Sequence, residues 1–274
     1  MKLKVNAKLD GGFMPMALVC REMRENTRDN GQDIALAVYK TRIYKDGTGH
    51  DEENCKFIDR IAKTLLWVAG GYKITVAGSK VVGEYVKNTF CHGGTRDFDA
   101  RFMERVYERP FEVVITDLEH APQEKSSASP VGKHLDGCRI GFDAGGSDRK
   151  VSAVVNGETV YSEEVVWFPK LNADPNYHYE GILSAMKTAA SHMPRVDAIG
   201  VSSAGVYIDN KIMVASLFIK VNDEDFEKTV KNMYIDVARE IGENIPIEVA
   251  NDGDVTALAG AMSLEDNGIL GIAM

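Results

Sequence analysis

The sequence predicts an α/β protein built from two units, and three observations carry that reading. Short apolar runs with alternating character are bounded by Gly, Asn and Asp; longer stretches with helical spacing lie between them; and one aperiodic polar segment divides the chain. That segment, Glu119-His-Ala-Pro-Gln-Glu-Lys-Ser-Ser-Ala-Ser-Pro-Val-Gly-Lys133, holds two prolines and a serine cluster. The expected organisation is a unit over 1–118, a linker over 119–136 and a second unit over 137–274. At 274 residues the chain is long enough to bury a substantial core.

In the first unit, Asp33 to Tyr44 reads as a strand. Asn54 to Ala69 reads as a helix whose apolar face is Phe57, Ile61, Leu65 and Val68. Tyr72 to Ala77 is a strand, Lys80 to about Phe90 and Phe98 to Glu108 are helices, and Phe111 to Thr116 is a closing strand. The glycine-rich stretch Gly70-Gly-Tyr-Lys-Ile-Thr-Val-Ala-Gly-Ser-Lys80 ends in Gly-Ser-Lys, so it lacks the Gly-Lys-Ser/Thr order of a Walker A loop. Its glycines are expected to end one helix and open the next.

The second unit starts with strands over Arg139 to Asp143, Val151 to Asn156 and Thr159 to Trp167, the last two joined by the hairpin signal Asn156-Gly157. A helix follows from about Tyr179 to His192. Then come a strand over Asp197 to Ser202, a helix over Asp223 to Ile241 and a strand over Ile245 to Ala250. Between the first two strands, Asp143-Ala-Gly-Gly-Ser-Asp-Arg-Lys150 has the chemistry of a phosphate-holding turn. Gly145 and Gly146 allow positive φ and close backbone approach, Ser147 adds a donor, Lys150 a charge, and Asp143 faces Mg²⁺ or its waters. The turn joins two strands, whereas a P-loop or Rossmann motif would open a helix. A second constellation, Ala250-Asn-Asp-Gly-Asp254, lies at the end of a strand before a small-residue helix, with Asp252 or Asp254 as its expected N-cap. Trp167 and Phe168 offer aromatic faces for stacking on a ligand, but packing is the commoner use of such a pair.

From Cys138 onward the chain resembles the first lobe of the actin-like ATPase and sugar-kinase superfamily, and within it the ROK group. That group shows Asp-x-Gly-Gly-Thr-Lys, Gly-x-x-x-Pro-Gly-Pro and Glu-Asn-Asp-Ala-Asn. Here the places are held by Asp143-Ala-Gly-Gly-Ser147, Gly200-Val-Ser-Ser-Ala-Gly-Val206 and Ala250-Asn-Asp-Gly-Asp254. Asp148 and Arg149 intervene before Lys150, both prolines are missing, Ala250 replaces Glu and Asp254 replaces Asn. The resemblance implies an RNase-H-like lobe, a three-strand meander plus crossovers, and the ATP-dependent phosphorylation of a sugar hydroxyl with ATP and Mg²⁺ as cofactors. It assigns Asp252 as general base, Asn251, Ser203 and Gly205 to the sugar, and Asp143, Gly145, Gly146, Ser147 and Lys150 to the nucleotide. Asp143 is also the implied Mg²⁺ residue, through a water. The N-terminal unit resembles an extension of one ROK subgroup, to which no biochemical role attaches.

The resemblance implies a small-molecule sugar as partner and leaves a homodimer open, and composition bears on the other partner classes. A net charge of −9 and no basic stripe exclude nucleic acid as the main partner. Lys80, Lys87, Arg96, Arg101 and Arg105 are interleaved with Glu84, Asp97, Asp99 and Glu104, the pattern of a solvated helical face. No apolar run is long enough to cross a bilayer and no signal peptide is seen, so a cytoplasmic location with no membrane partner is expected. The four cysteines lie far apart, which points to free thiols, and the Cys-rich zinc loop of many ROK kinases is missing. Gly268 to Met274 reads as a buried strand, after which the family would place a second phosphate loop. The expectation is therefore the N-terminal part of a longer kinase, binding nucleotide weakly and turning over no sugar alone. The rival readings are a sugar-sensing regulator, an ATPase switch whose hydrolysis ignores sugar, and a non-catalytic module binding without Mg²⁺.

Overall fold

The structure, a computed structural model, describes residues 13–23, 34–124, 135–264 and 270–271. Its contacts divide the chain into two units, residues 1–128 and 129–274. Most of the polar segment over 119–136, residues 125–134, lies outside the described residues.

The first unit runs β1 (Phe13–Met23), β2 (Ile34–Tyr44), α1 (Asp51–Ala69), β3 (Lys73–Ala77), α2 (Lys80–Thr89), α3 (Asp97–Tyr107) and β4 (Glu112–Thr116). The sheet order is β2-β1-β3-β4, with β3 and β4 parallel and the other pairs antiparallel. β1 had no counterpart in the sequence reading, since its strand character shows only once β2 and β3 pair with it. Helix α1 corrects a second expectation. It buries Cys55, Ile58, Ala62 and Leu66, packs Ile61 and Leu65 of the expected face against the margin of that core, and leaves Phe57 and Val68, 44% and 81% exposed, on the outer side. The chain offers two apolar stripes there, and Asn54 selects between them. Its amide donates to the Tyr44 carbonyl at 2.8 Å and its Oδ1 accepts from the Tyr44 N–H at 3.0 Å, which sets the helix rotation. Ser79 caps α2 through the Val82 N–H at 3.1 Å, and the Gly70 N–H closes α1 on Leu66 at 2.9 Å, so the glycine-rich stretch serves helix ends, as expected.

The second unit begins with a meander, β5 (Cys138–Ala144), β6 (Asp148–Val155) and β7 (Glu158–Val166). The β6–β7 turn has Asn156 at φ 50° and Gly157 at φ 87°, the left-handed pair a tight hairpin demands. Then follow α4 (Pro175–Ser191), β8 (Ala198–Ser203), a hairpin of β9 (Val206–Ile208) and β10 (Lys211–Val214), α5 (Asp223–Asp225), α6 (Met233–Ile241), β11 (Ile247–Asn251) and α7 (Asp252–Leu264). The five-stranded sheet has the order β11-β8-β5-β6-β7, with β11, β8 and β5 parallel and the meander antiparallel. This is the RNase-H-like arrangement. One face of β5 (Cys138, Ile140, Phe142, Ala144) packs into the core with Ile182 and Met186 of α4 and Val237 of α6; Arg139, Gly141 and Asp143 occupy the other face.

The single helix expected over Asp223 to Ile241 is broken. Phe226–Val230 is π-helical, with the Lys231 N–H reaching the Phe226 carbonyl at 3.0 Å, and the Lys231 carbonyl is taken at 2.8 Å by the N–H of Ile212 in β10. A strand donor thus replaces the helical one. Of the terminal strand expected over 268–274, residues 268, 269 and 272–274 lie outside the described residues; Leu270 and Gly271 are not in a strand, and Leu270 is 83% exposed. No described helix is long and apolar enough to cross a membrane.

Candidate functional site

Cross-strand register brings the three motifs together. Ala144 on β5, Ser203 on β8 and Asn251 on β11 are direct partners across the parallel strands, and all three strands end there. The β5–β6 turn with Gly145, Gly146 and Ser147, the Ala204-Gly205 turn, and the start of α7 at Asp252 therefore leave one edge of the sheet side by side. Carboxyl ends of parallel strands are where open α/β sheets hold ligands.

The β5–β6 turn is clamped from behind. The Trp167 indole donates to the Gly145 carbonyl at 2.8 Å and the Trp167 N–H to the Ser147 carbonyl at 3.1 Å. Trp167 is itself buried, which makes it packing for the loop, while Phe168 is exposed. Gly145 and Gly146 do not adopt positive φ, contrary to expectation. What they supply is room: a Cβ on Gly145 would stand 2.6 Å from the Asp148 carbonyl oxygen. Lys150 pairs with Asp148 at 2.9 Å, and this contact holds the Asp148 carboxyl below the usual range. Ser147 donates to Asp148 at 3.3 Å. Asp143 stands opposite Lys150 on β6 and Ser202 on β8, and its carboxylate has no hydrogen-bond or ion-pair partner among the described residues.

Asn251, and neither Asp252 nor Asp254, caps α7. Its Oδ1 accepts the Gly253 N–H at 2.9 Å, and its amide donates to the Gly205 carbonyl at 2.9 Å, tying the β8 turn to the helix start. One amide hydrogen and one lone pair of Asn251 remain for a ligand. Asp252 accepts the same Gly253 N–H through Oδ1 at 3.0 Å, which leaves Oδ2 without a partner among the described residues. Gly205 is required by crowding, since a Cβ would lie 2.6 Å from the Val214 carbonyl oxygen.

Beneath these groups lies a hydroxyl cluster, of which the sequence flagged Ser203 and missed Tyr207 and Tyr234. Ser203 is fully buried; Tyr207 and Tyr234 pack with ring centroids 6.4 Å apart. Burial, reinforced by the Asp252 carboxylate, pushes the Tyr207 phenol up to about 12, and burial drives Tyr234 higher still. The Ser203 hydroxyl and the Tyr234 phenol have no hydrogen-bond partner that meets ordinary geometry. No local pattern announces such a cluster, because Tyr234 lies 31 residues beyond Ser203 in sequence and meets it only through the fold. A groove of about 670 Å³ lined by Arg149, Trp167, Tyr177 and Gly181 opens nearby on the α4 side of the sheet, away from Asp143.

No three His, Cys, Asp or Glu side chains gather to hold a metal among the described residues. A Mg²⁺ ion needs less, for it binds through one or two carboxylates, waters and substrate phosphates, and the unpartnered Asp143 at the strand end fits that donor set. Cys55, Cys91 and Cys138 are free thiols; the side chain of Cys20 lies outside the described residues.

The fold and the site define an α/β lobe with an RNase-H-like strand order and polar turns at the carboxyl ends of its parallel strands. Among solved structures it is similar to several sugar kinases. The inorganic polyphosphate/ATP-glucomannokinase of Arthrobacter sp. strain KM is 21% identical over 46% of this chain and 48% of its own, with a TM-score of 0.35. The ROK hexokinase of Thermus thermophilus is 16% identical over 45% of this chain and 38% of its own, with a TM-score of 0.34. The glucokinase of Parabacteroides distasonis is 18% identical over 47% and 35%, with a TM-score of 0.37. The chain thus spans less than half the length of these kinases. No protein-family model and no curated protein matches the chain.

Proposed function

We propose that the second unit of this chain is the first lobe of an ATP-dependent sugar kinase of the ROK type, holding the sugar and part of the nucleotide. The observation that supports the reading best is the cross-strand alignment of Ala144, Ser203 and Asn251, which sets the Gly145–Ser147 turn, the Ala204-Gly205 turn, the Asp143 carboxylate and the open Oδ2 of Asp252 along one edge. Phosphoryl transfer to a hydroxyl requires those parts: donors for phosphate, a carboxylate near the metal, and a carboxylate that accepts the hydroxyl proton.

In this reading Asp252 is the general base. Its free Oδ2 takes the proton of the attacking sugar hydroxyl, while Asn251 orients a neighbouring hydroxyl with its remaining N–H. Ser203 and Gly205 shape the sugar side. Gly145, Gly146, Ser147 and a nearby cation hold the phosphates, and Asp143 holds Mg²⁺ through water. Bound Mg²⁺ supplies charge neutralisation at the transferred phosphoryl group.

The test is a coupled kinase assay on the full-length gene product with Mg·ATP and a hexose panel. Asp252→Asn should lower kcat by about 10²–10⁴ with little change in fold, and Asp254→Asn, two residues into α7, should be milder. Turnover by Asp252→Asn within tenfold of wild type overturns the assignment. ATP hydrolysis indifferent to every sugar would favour an ATPase switch.

A further inference from the structure

The cation the sequence assigns to the phosphate turn, Lys150, is already engaged by Asp148. A second lysine stands at the turn without being so occupied. Lys170 projects from the 3-10 turn Pro169–Leu171, and an ideal Cβ on Gly146 would lie 2.9 Å from its Nζ and 3.0 Å from its Cε. The ammonium therefore occupies the space that the missing side chain of Gly146 vacates. Lys170 makes no hydrogen bond or ion pair among the described residues.

The base of this lysine is fixed while its tip is exposed. Pro169 is buried, and the fully buried His178 ring sits with Nε2 3.0 Å from the Pro169 carbonyl oxygen and 3.3 Å from that of Leu217. The turn itself is polarised. Trp167 takes the carbonyls of Gly145 and Ser147, while the N–H groups of Gly146 and Ser147 donate to no group among the described residues. Unpaired amides beside an uncompensated ammonium form an anion cradle whose donors a phosphate would satisfy.

We propose that Lys170, and not Lys150, is the lysine that holds the terminal phosphates of a nucleoside triphosphate on the Gly145–Ser147 turn. The proposal rests on the nucleotide reading of that turn. Lys150 instead stays in its exposed ion pair with Asp148.

The full chain is titrated calorimetrically with Mg·ATP and with Mg·AMP, and its lysines are mapped by acetylation with and without Mg·ATP. Lys170→Ala should weaken Mg·ATP binding about fivefold to tenfold and leave Mg·AMP unchanged, whereas Lys150→Ala should move Mg·ATP by less than about twofold. Mg·ATP should slow acetylation of Lys170 and leave Lys187 and Lys211 as they were. Gly146→Ala, whose methyl displaces the ammonium, should match Lys170→Ala, and the double variant should lose no more than either. Mg·ATP binding by wild type that is retained in Lys170→Ala, or lost in Lys150→Ala instead, overturns the role of Lys170 and leaves the nucleotide reading standing. A wild-type chain that binds Mg·ATP no better than Mg·AMP and protects no lysine overturns both.

Discussion

Among single residues, the unpartnered groups are the most telling. Lys150 is engaged by Asp148, whereas the Asp143 carboxylate and Oδ2 of Asp252 have no partner among the described residues, a difference that shows only once the contacts are known. The buried phenol of Tyr234 is the opposite case, a polar group without solvent or partner. Leaving a hydroxyl unsatisfied in the core is destabilising, whereas removing it is not. Tyr234→Phe should therefore leave the stability of the second unit unchanged or raise it by up to about 1 kcal/mol in denaturant melts. A loss above that size would mean that the phenol holds a bond, for example to a buried water.

The secondary-structure elements were legible where their own residues decide them. The Asn156-Gly157 hairpin, α2 after Ser79 and the β5 to β7 meander follow from turn chemistry and alternation. Elements set by a partner were not. The β9–β10 hairpin turns at Asp209 and Asn210, with φ 50° and 65°, and Asn210 then reaches the exposed side of β11. Its amide donates to the Ile247 carbonyl at 3.0 Å and its Oδ1 accepts the Val249 N–H at 2.8 Å, so one side chain stands in for a missing edge neighbour. Asn210→Ala should lower the stability of the second unit by about 1–3 kcal/mol and speed amide exchange at Val249. Unchanged exchange there would show that the edge needs no such cover.

At the scale of the whole molecule, the two units have separate cores. Ile58, Leu66, Ile74 and Val86 belong to one apolar cluster, and Ile140, Ile182, Val201 and Val237 to the other. Separate cores should unfold as separate cooperative transitions, since cooperativity follows shared contacts. Ile58→Ala should weaken the first transition by about 2–5 kcal/mol and spare the second, and Ile182→Ala should do the reverse. Calorimetry or hydrogen exchange that shows both variants lowering a single common transition would refute this division.

The sequence by itself determined the α/β class, most of the strands and helices, and the three polar motifs around Asp143, Ser203 and Asn251. Each of these is a local matter of periodicity, turn residues and capping, and needs no knowledge of the rest of the chain. Only the tertiary structure decided which apolar stripe of α1 faces its sheet, where the helix over 223–241 breaks, that Asn251 takes the α7 cap, and that Lys170 rather than Lys150 stands free at the glycine turn. In the first three, competing side chains or backbone groups of similar local propensity are available, and a contact from another segment of the chain selects one of them. In the fourth, Lys150 is taken by its neighbour Asp148, and only the fold brings Lys170 against Gly146.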